Sequence, residues 1–149
     1  EKEDSQSASD QGIEIRFGTM RSLMQSSSVG LVTSGTATLE AALLGMPQVI
    51  CYRTSGVTFQ IAKRLARTPW IGLPNILLQK SIVTERIQQD CDDRTLVKDI
   101  KKLHDGHALL PDGRQQLDQL EHLRNQLQGS RIPSAQVADA ILNHRPRKA

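Results

Sequence analysis

The period of the hydrophobic positions changes several times along the chain, and each change marks a predicted element. Ile13-Glu14-Ile15 alternates apolar and polar and reads as a short strand. Thr19 to Gln25 reads as a helical turn closed by Ser26-Ser27-Ser28, and the β-branched run from Val29 to Thr33 as a second strand. Ala37 to Leu44 is strongly helical and is stopped by Gly45-Met46-Pro47, a residue tolerant of positive φ with a proline soon after. Gln48 to Tyr52 reads as the third strand. Thr58 to Arg67 is an amphipathic helix, with Phe59, Ile61, Ala62, Leu65 and Ala66 opposite its basic residues. Trp70 to Pro74 is a fourth extended run, after which Asn75 opens a loop. Asp93 is placed to cap a helix from Arg94 to Asp105, whose Leu96, Ile100 and Leu103 recur at helical spacing. Two more helices follow, over 112–127 and 134–143. In the first, Leu117, Leu120, Leu123 and Leu127 form a stripe that reads as core, with oligomerisation as the other use of such a face.

Strands alternating with helices through short connections indicate an α/β fold, a parallel sheet of about four short strands with flanking helices and a helical C-terminal third. In such a sheet ligand loops gather at the carboxyl ends of the strands. Ser34-Gly35-Thr36, Tyr52-Arg53 and Pro74-Asn75 are the three candidates.

Composition narrows this picture. With 149 residues the chain suits one core rather than two full domains. Phe17, Tyr52, Phe59 and Trp70 are its only aromatics, so Leu, Ile, Val and Ala must build that core. No apolar run nears the roughly 20 residues of a membrane span. The polar, serine-rich segment 1–12 reads as flexible and carries no signal peptide, which makes the cytoplasm the expected compartment. Cys51 and Cys91 share no metal-ligand spacing with any histidine, and Cys51 in its apolar run reads as a small hydrophobe. His104, His107, His122 and His144 read as surface residues, and Asp92-Asp93 as a capping pair rather than a metal site.

Charge adds a partner class. Between Arg53 and Thr84 stand five basic residues, Arg53, Lys63, Arg64, Arg67 and Lys80, and no acidic one; the tail 143–149 is basic as well. Such a face suits a phosphorylated substrate or an anionic membrane surface. Nucleic acid is excluded, because the basic segments lack aromatic stacking platforms and match no duplex-reading motif.

The sharpest chemistry lies at Ser34-Gly35-Thr36, where a strand passes through a tight turn into a helix start. The first N–H groups of a helix have no intrahelical partner and carry partial positive charge, which attracts phosphate. Gly35 lets the backbone approach a ligand, and the hydroxyls of Ser34 and Thr36 can cap the helix or donate to phosphate. Glu40, one turn on, can accept paired hydrogen bonds from vicinal hydroxyls. Phosphate on the amides and ribose on the carboxylate together describe a nucleotide. Each residue also has a plainer role: Thr36 as a cap, Glu40 and Arg53 as solvated charges, Asn75 as a turn residue.

Ser34-Gly35-Thr36-Ala37-Thr38-Leu39-Glu40, Gly45-Met46-Pro47, Tyr52-Arg53, Leu73-Pro74-Asn75-Ile76-Leu77 and Gln88 before Cys91 resemble, in that order, the C-terminal nucleotide-binding part of the lipid-A-disaccharide synthases. The resemblance runs over 13–142. It implies a truncated Rossmann-like nucleotide domain of a two-domain, GT-B type glycosyltransferase, a hexosyltransferase that joins UDP-2,3-diacylglucosamine to 2,3-diacylglucosamine 1-phosphate at the inner face of the inner membrane. It implies that Ser34, Gly35 and Thr36 cradle the diphosphate, that Glu40 takes the ribose, and that Arg53 neutralises the departing UDP. It places Asn75 in the donor pocket and Gln88 close to it, with no metal and no cofactor. The family's catalytic acid lies in an N-terminal half, and the domain's first βαβ unit with its glycine-rich loop has no counterpart here. Gln88-Gln89-Asp90 stands where members commonly carry Gln-Glu-Glu. The chain therefore reads as a truncated enzyme, a gene fragment or one piece of a split protein. The other functions it allows are another UDP-sugar transferase or epimerase, and a non-catalytic partner-binding module.

Overall fold

The computed structural model describes residues 12–33, 35–54 and 68–128. Three parallel strands form its sheet in the order β1 (Gly30–Thr33), β2 (Gln48–Tyr52), β3 (Thr84–Ile87). Thr33 lies beside Cys51, and Cys51 beside Arg86. Gln48, Val49 and Ile50 are all buried. Successive side chains of a strand point to opposite faces, so β2 is covered on both.

The covering helices are α1 (Met20–Ser26), α2 (Thr36–Leu43), α3 (Leu73–Leu78), α4 (Asp93–Leu103) and α5 (Pro111–Leu127). Ala42, Ile50, Val83, Leu120 and Leu123 make the main cluster, and Met24, Val32, Ala41 and Met46 a second one. Full burial of a leucine such as Leu120 contributes roughly 1.5–3 kcal/mol. The leucine stripe is therefore core at Leu120 and Leu123, while Leu127 remains exposed. Inside α5, Gly113 lies against the end of α4, where a Cβ would stand 2.3 Å from the Leu103 carbonyl oxygen. No side chain fits that approach.

Several expectations hold closely. Gln48–Tyr52 is a strand, Gly30–Thr33 falls within the second predicted strand, and α2 and α5 match their predicted helices within a residue or so. Others are corrected. Ile13-Glu14-Ile15 is not a strand, and Ile13, Ile15 and Phe17 are exposed, the last by 87%. Alternation alone does not make a strand without a neighbour to accept its ladder. The extended run over 70–74 is instead the approach to α3, with Pro74 in the first helical turn, where its missing N–H is harmless. Asn75 sits inside that helix and opens no loop. The third strand of the sheet is Thr84–Ile87, which the sequence pattern concealed behind Glu85 and Arg86. Asp92, not Asp93, caps α4, accepting a hydrogen bond from the Thr95 N–H at 3.1 Å. The described sheet has three strands rather than four. The predicted helices over 58–67 and 134–143 lie outside the described residues.

Candidate functional site

Parallel strands open their carboxyl ends on one side, and three turns meet there. β1 leads to Gly35 and α2, β2 to Arg53, and β3 to Gln88. The third turn of this rim is Ile87-Gln88 rather than the expected Pro74-Asn75.

At the first turn, Gly35 is the N-cap of α2 with φ 137° and ψ −162°, a conformation nearly confined to glycine. A Cβ there would meet nothing within 4 Å, so the backbone conformation and not crowding demands glycine. Among the described residues no side chain caps the helix. The Thr38 hydroxyl donates to the Gly35 carbonyl at 2.7 Å, drawing the turn tight. Thr36 and Glu40 are exposed, and neither has a side-chain partner among the described residues. Ser34 lies outside the described residues. The helix start thus offers uncapped N–H groups to solvent at the carboxyl end of β1, the arrangement that accepts an anion.

At the second turn, Arg53 is exposed and forms no ion pair among the described residues. Its neighbours are fixed. Tyr52 pairs with Ile87 in the β2–β3 ladder. Thr54 is gripped by the Gln88 side chain, whose Oε1 accepts the Thr54 N–H at 2.8 Å while Nε2 donates to the Thr54 carbonyl at 3.0 Å. Gln88 itself has φ 56°, where β3 leaves the sheet for a short 3₁₀ turn, Gln88–Asp90.

Asn75 is elsewhere. Its Nδ2 donates to the Val83 carbonyl and to Glu85 Oε1, and its Oδ1 accepts the N–H groups of Ile82 and Val83, all within 2.9 Å. These partners surround the amino end of β3, a strand's length from the rim. Both donors and both lone pairs of the fully buried amide are occupied, so it has no atom to offer a donor in this arrangement. Glu85 completes the clamp by accepting the Ile71 and Gly72 N–H groups at 2.9 and 3.0 Å. Sequence reasoning missed Glu85. Its one signal was position, since it is the first acid after a stretch of more than thirty residues without any.

The buried charge of the fold is paired. Asp99 is buried and held by Arg86 and Lys102. The Arg86 guanidinium keeps its carboxyl below the ordinary range, against the opposing effect of burial. Cys51 and Cys91 are free thiols. Burial, then the neighbouring Cys91, pushes the Cys51 thiol up, so it stays protonated and weakly nucleophilic. Among the described residues, no cluster of three or more His, Cys, Asp or Glu side chains could hold a metal ion. Nor is any helix among them long and apolar enough to cross a membrane.

Comparison with known proteins shows the family of the chain. Residues 6–141 match the family model described as lipid-A-disaccharide synthetase. The chain is 40% identical over 112 residues to the lipid-A-disaccharide synthase of Pseudomonas paraeruginosa, covering 75% of this chain and 28% of that protein. It is 40% identical over 105 residues to the enzyme of that name from Chromobacterium violaceum, covering 70% of this chain and 27% of that protein. With the one from Colwellia psychrerythraea it shares 37% identity over 136 residues, which is 91% of this chain and 33% of the relative. The chain therefore spans about a third or less of the length of these relatives.

Proposed function

The chain belongs to the lipid-A-disaccharide synthetase family, and on that premise we propose that residues 13–142 form the UDP-holding part of a glycosyltransferase. The full reaction is transfer of the sugar of UDP-2,3-diacylglucosamine to 2,3-diacylglucosamine 1-phosphate. The bond from the sugar's anomeric carbon to UDP breaks, one from that carbon to an acceptor hydroxyl forms, and the hydroxyl proton passes to a base. No described residue is given that catalytic role. Acylated substrates place the work at a membrane surface, here the cytoplasmic face of the inner membrane.

The observation that carries the proposal is the start of α2 behind Gly35, which no side chain caps among the described residues, on the same rim as Arg53, which forms no ion pair among them. The diphosphate takes the α2 amides with Ser34, Gly35 and Thr36. Glu40 accepts the ribose hydroxyls. Arg53 stabilises the charge that builds on departing UDP, as a fixed guanidinium does well. Asn75 serves the pocket indirectly, by holding α3 to β3. Helix dipole and arginine together supply the neutralisation that other transferases obtain from a divalent ion.

UDP titrated into the folded chain is expected to give saturable amide shifts from Gly35 to Glu40 and at Arg53. Absence of those shifts sinks the site assignment. Transfer of radiolabelled sugar to a diacylglucosamine phosphate by the complete protein separates this function from that of another UDP-sugar transferase or epimerase.

A further inference from the structure

Gln88 acts on the rim without pointing at it. The regular β2–β3 ladder ends at Tyr52 and Ile87. Beyond that pair Gln88 turns away with φ 56°, a left-handed conformation that a non-glycine residue adopts at an energetic cost. Its side-chain amide then replaces the missing backbone partner. One atom accepts the Thr54 N–H and the other donates to the Thr54 carbonyl, at 2.8 and 3.0 Å. The amide thereby carries the pairing of the β2 side on from Tyr52 to Thr54. Arg53 is left between two anchored neighbours, its backbone held and its guanidinium without an ion pair among the described residues.

On the reading of the rim proposed above, we infer that Gln88 is a positioning residue, which fixes the direction of Arg53 toward the donor diphosphate by holding Thr54. One N–H and one lone pair of the amide are committed to Thr54, and that grip on the residue after Arg53 is the contact through which Gln88 acts. Fixing a long cation in advance lowers the entropy lost when it meets phosphate. The role is therefore specific to the charged part of the ligand.

The test uses Gln88→Gly, because glycine accepts the backbone conformation at this position while the side chain and its amide are removed. UDP and uridine are titrated calorimetrically into the wild-type chain, Gln88→Gly, Arg53→Ala and the double variant. Gln88→Gly is expected to weaken UDP roughly tenfold and leave uridine within twofold. In the Arg53→Ala background the same change is expected to add less than twofold, because the positioned group is gone. Hydrogen exchange without ligand gives a second readout, with protection lost at the Thr54 amide and kept at Val49 and Ile50. An undiminished UDP affinity in Gln88→Gly, a full additional loss in the double variant, or an unchanged Thr54 amide each overturns the positioning role. If the wild-type chain binds no UDP, the donor site itself is refuted and the positioning role falls with it.

Discussion

The two ends of β3 use similar residue types for opposite purposes. On the rim beyond its carboxyl end, after the neighbouring strands β1 and β2, lie Gly35, Thr36, Glu40 and Arg53, which are exposed and have few partners among the described residues. Near its amino end lies the clamp of Asn75 and Glu85, where every polar atom of the asparagine is matched. Both sets sit in motif-like strings of sequence. Saturation of their hydrogen bonds separates them: a saturated group builds the structure, and an unsaturated group is left for a ligand. Gln88 stands between the two classes, bonded at both ends of its amide to Thr54 and holding an open neighbour in place.

The contrast can be broken most forcefully at Asn75. Asn75→Ala leaves two N–H groups and the Val83 carbonyl without their side-chain partner, all beside the core, and is expected to lower stability by about 3 kcal/mol. Urea denaturation measures this, and a loss under about 1 kcal/mol would show that the clamp is no keystone.

Acid provides the next test. Asp99 is ionised more readily in the fold than in the unfolded chain, because of Arg86. A carboxyl with a lowered folded pKa contributes stability above its unfolded value of about 3.9, and that contribution is lost as pH falls through the folded value. The wild-type chain is therefore expected to lose stability progressively below about pH 4, with a smaller decline in Asp99→Asn. Equal acid slopes in the two proteins would remove Asp99 from the saturated class.

Arg53 sharpens the other side of the comparison. Arg53→Ala is expected to stay within about 0.5 kcal/mol of wild type in denaturation, as surface changes do, while UDP affinity falls about tenfold in calorimetry. The smallest effect belongs to Glu40→Gln, a change that leaves the fold untouched. Its signature is a preference for UDP over 2′-deoxy-UDP that narrows by about threefold, a fraction of a hydrogen bond's worth. A large stability loss in either variant would move that residue from the rim to the framework.

Much of the fold was legible because hydrophobic period is a local property. The β2 run from Gln48 to Tyr52, the helix ended by Gly45 and the leucine spacing of α5 could each be read in place. β3 was hidden because Glu85 and Arg86 face partners that are distant in sequence. Glu85 bonds to Ile71, Gly72 and Asn75, and Arg86 to Asp99, so two charges occupy a strand that period alone would reject. Ile13-Glu14-Ile15 failed in the reverse direction, with the right pattern and no strand to receive it.

The site divides in the same way. By itself the sequence determined the glycine turn before α2, the chemistry available at Thr36, Glu40 and Arg53, and the resemblance that joins them. These depend on residue type and short spacing. Only the tertiary structure decided which polar groups remain open. Asn75 was used up at one end of β3 and Gln88 was turned into a brace at the other, because a hydrogen bond is spent on whichever partner packing brings within reach.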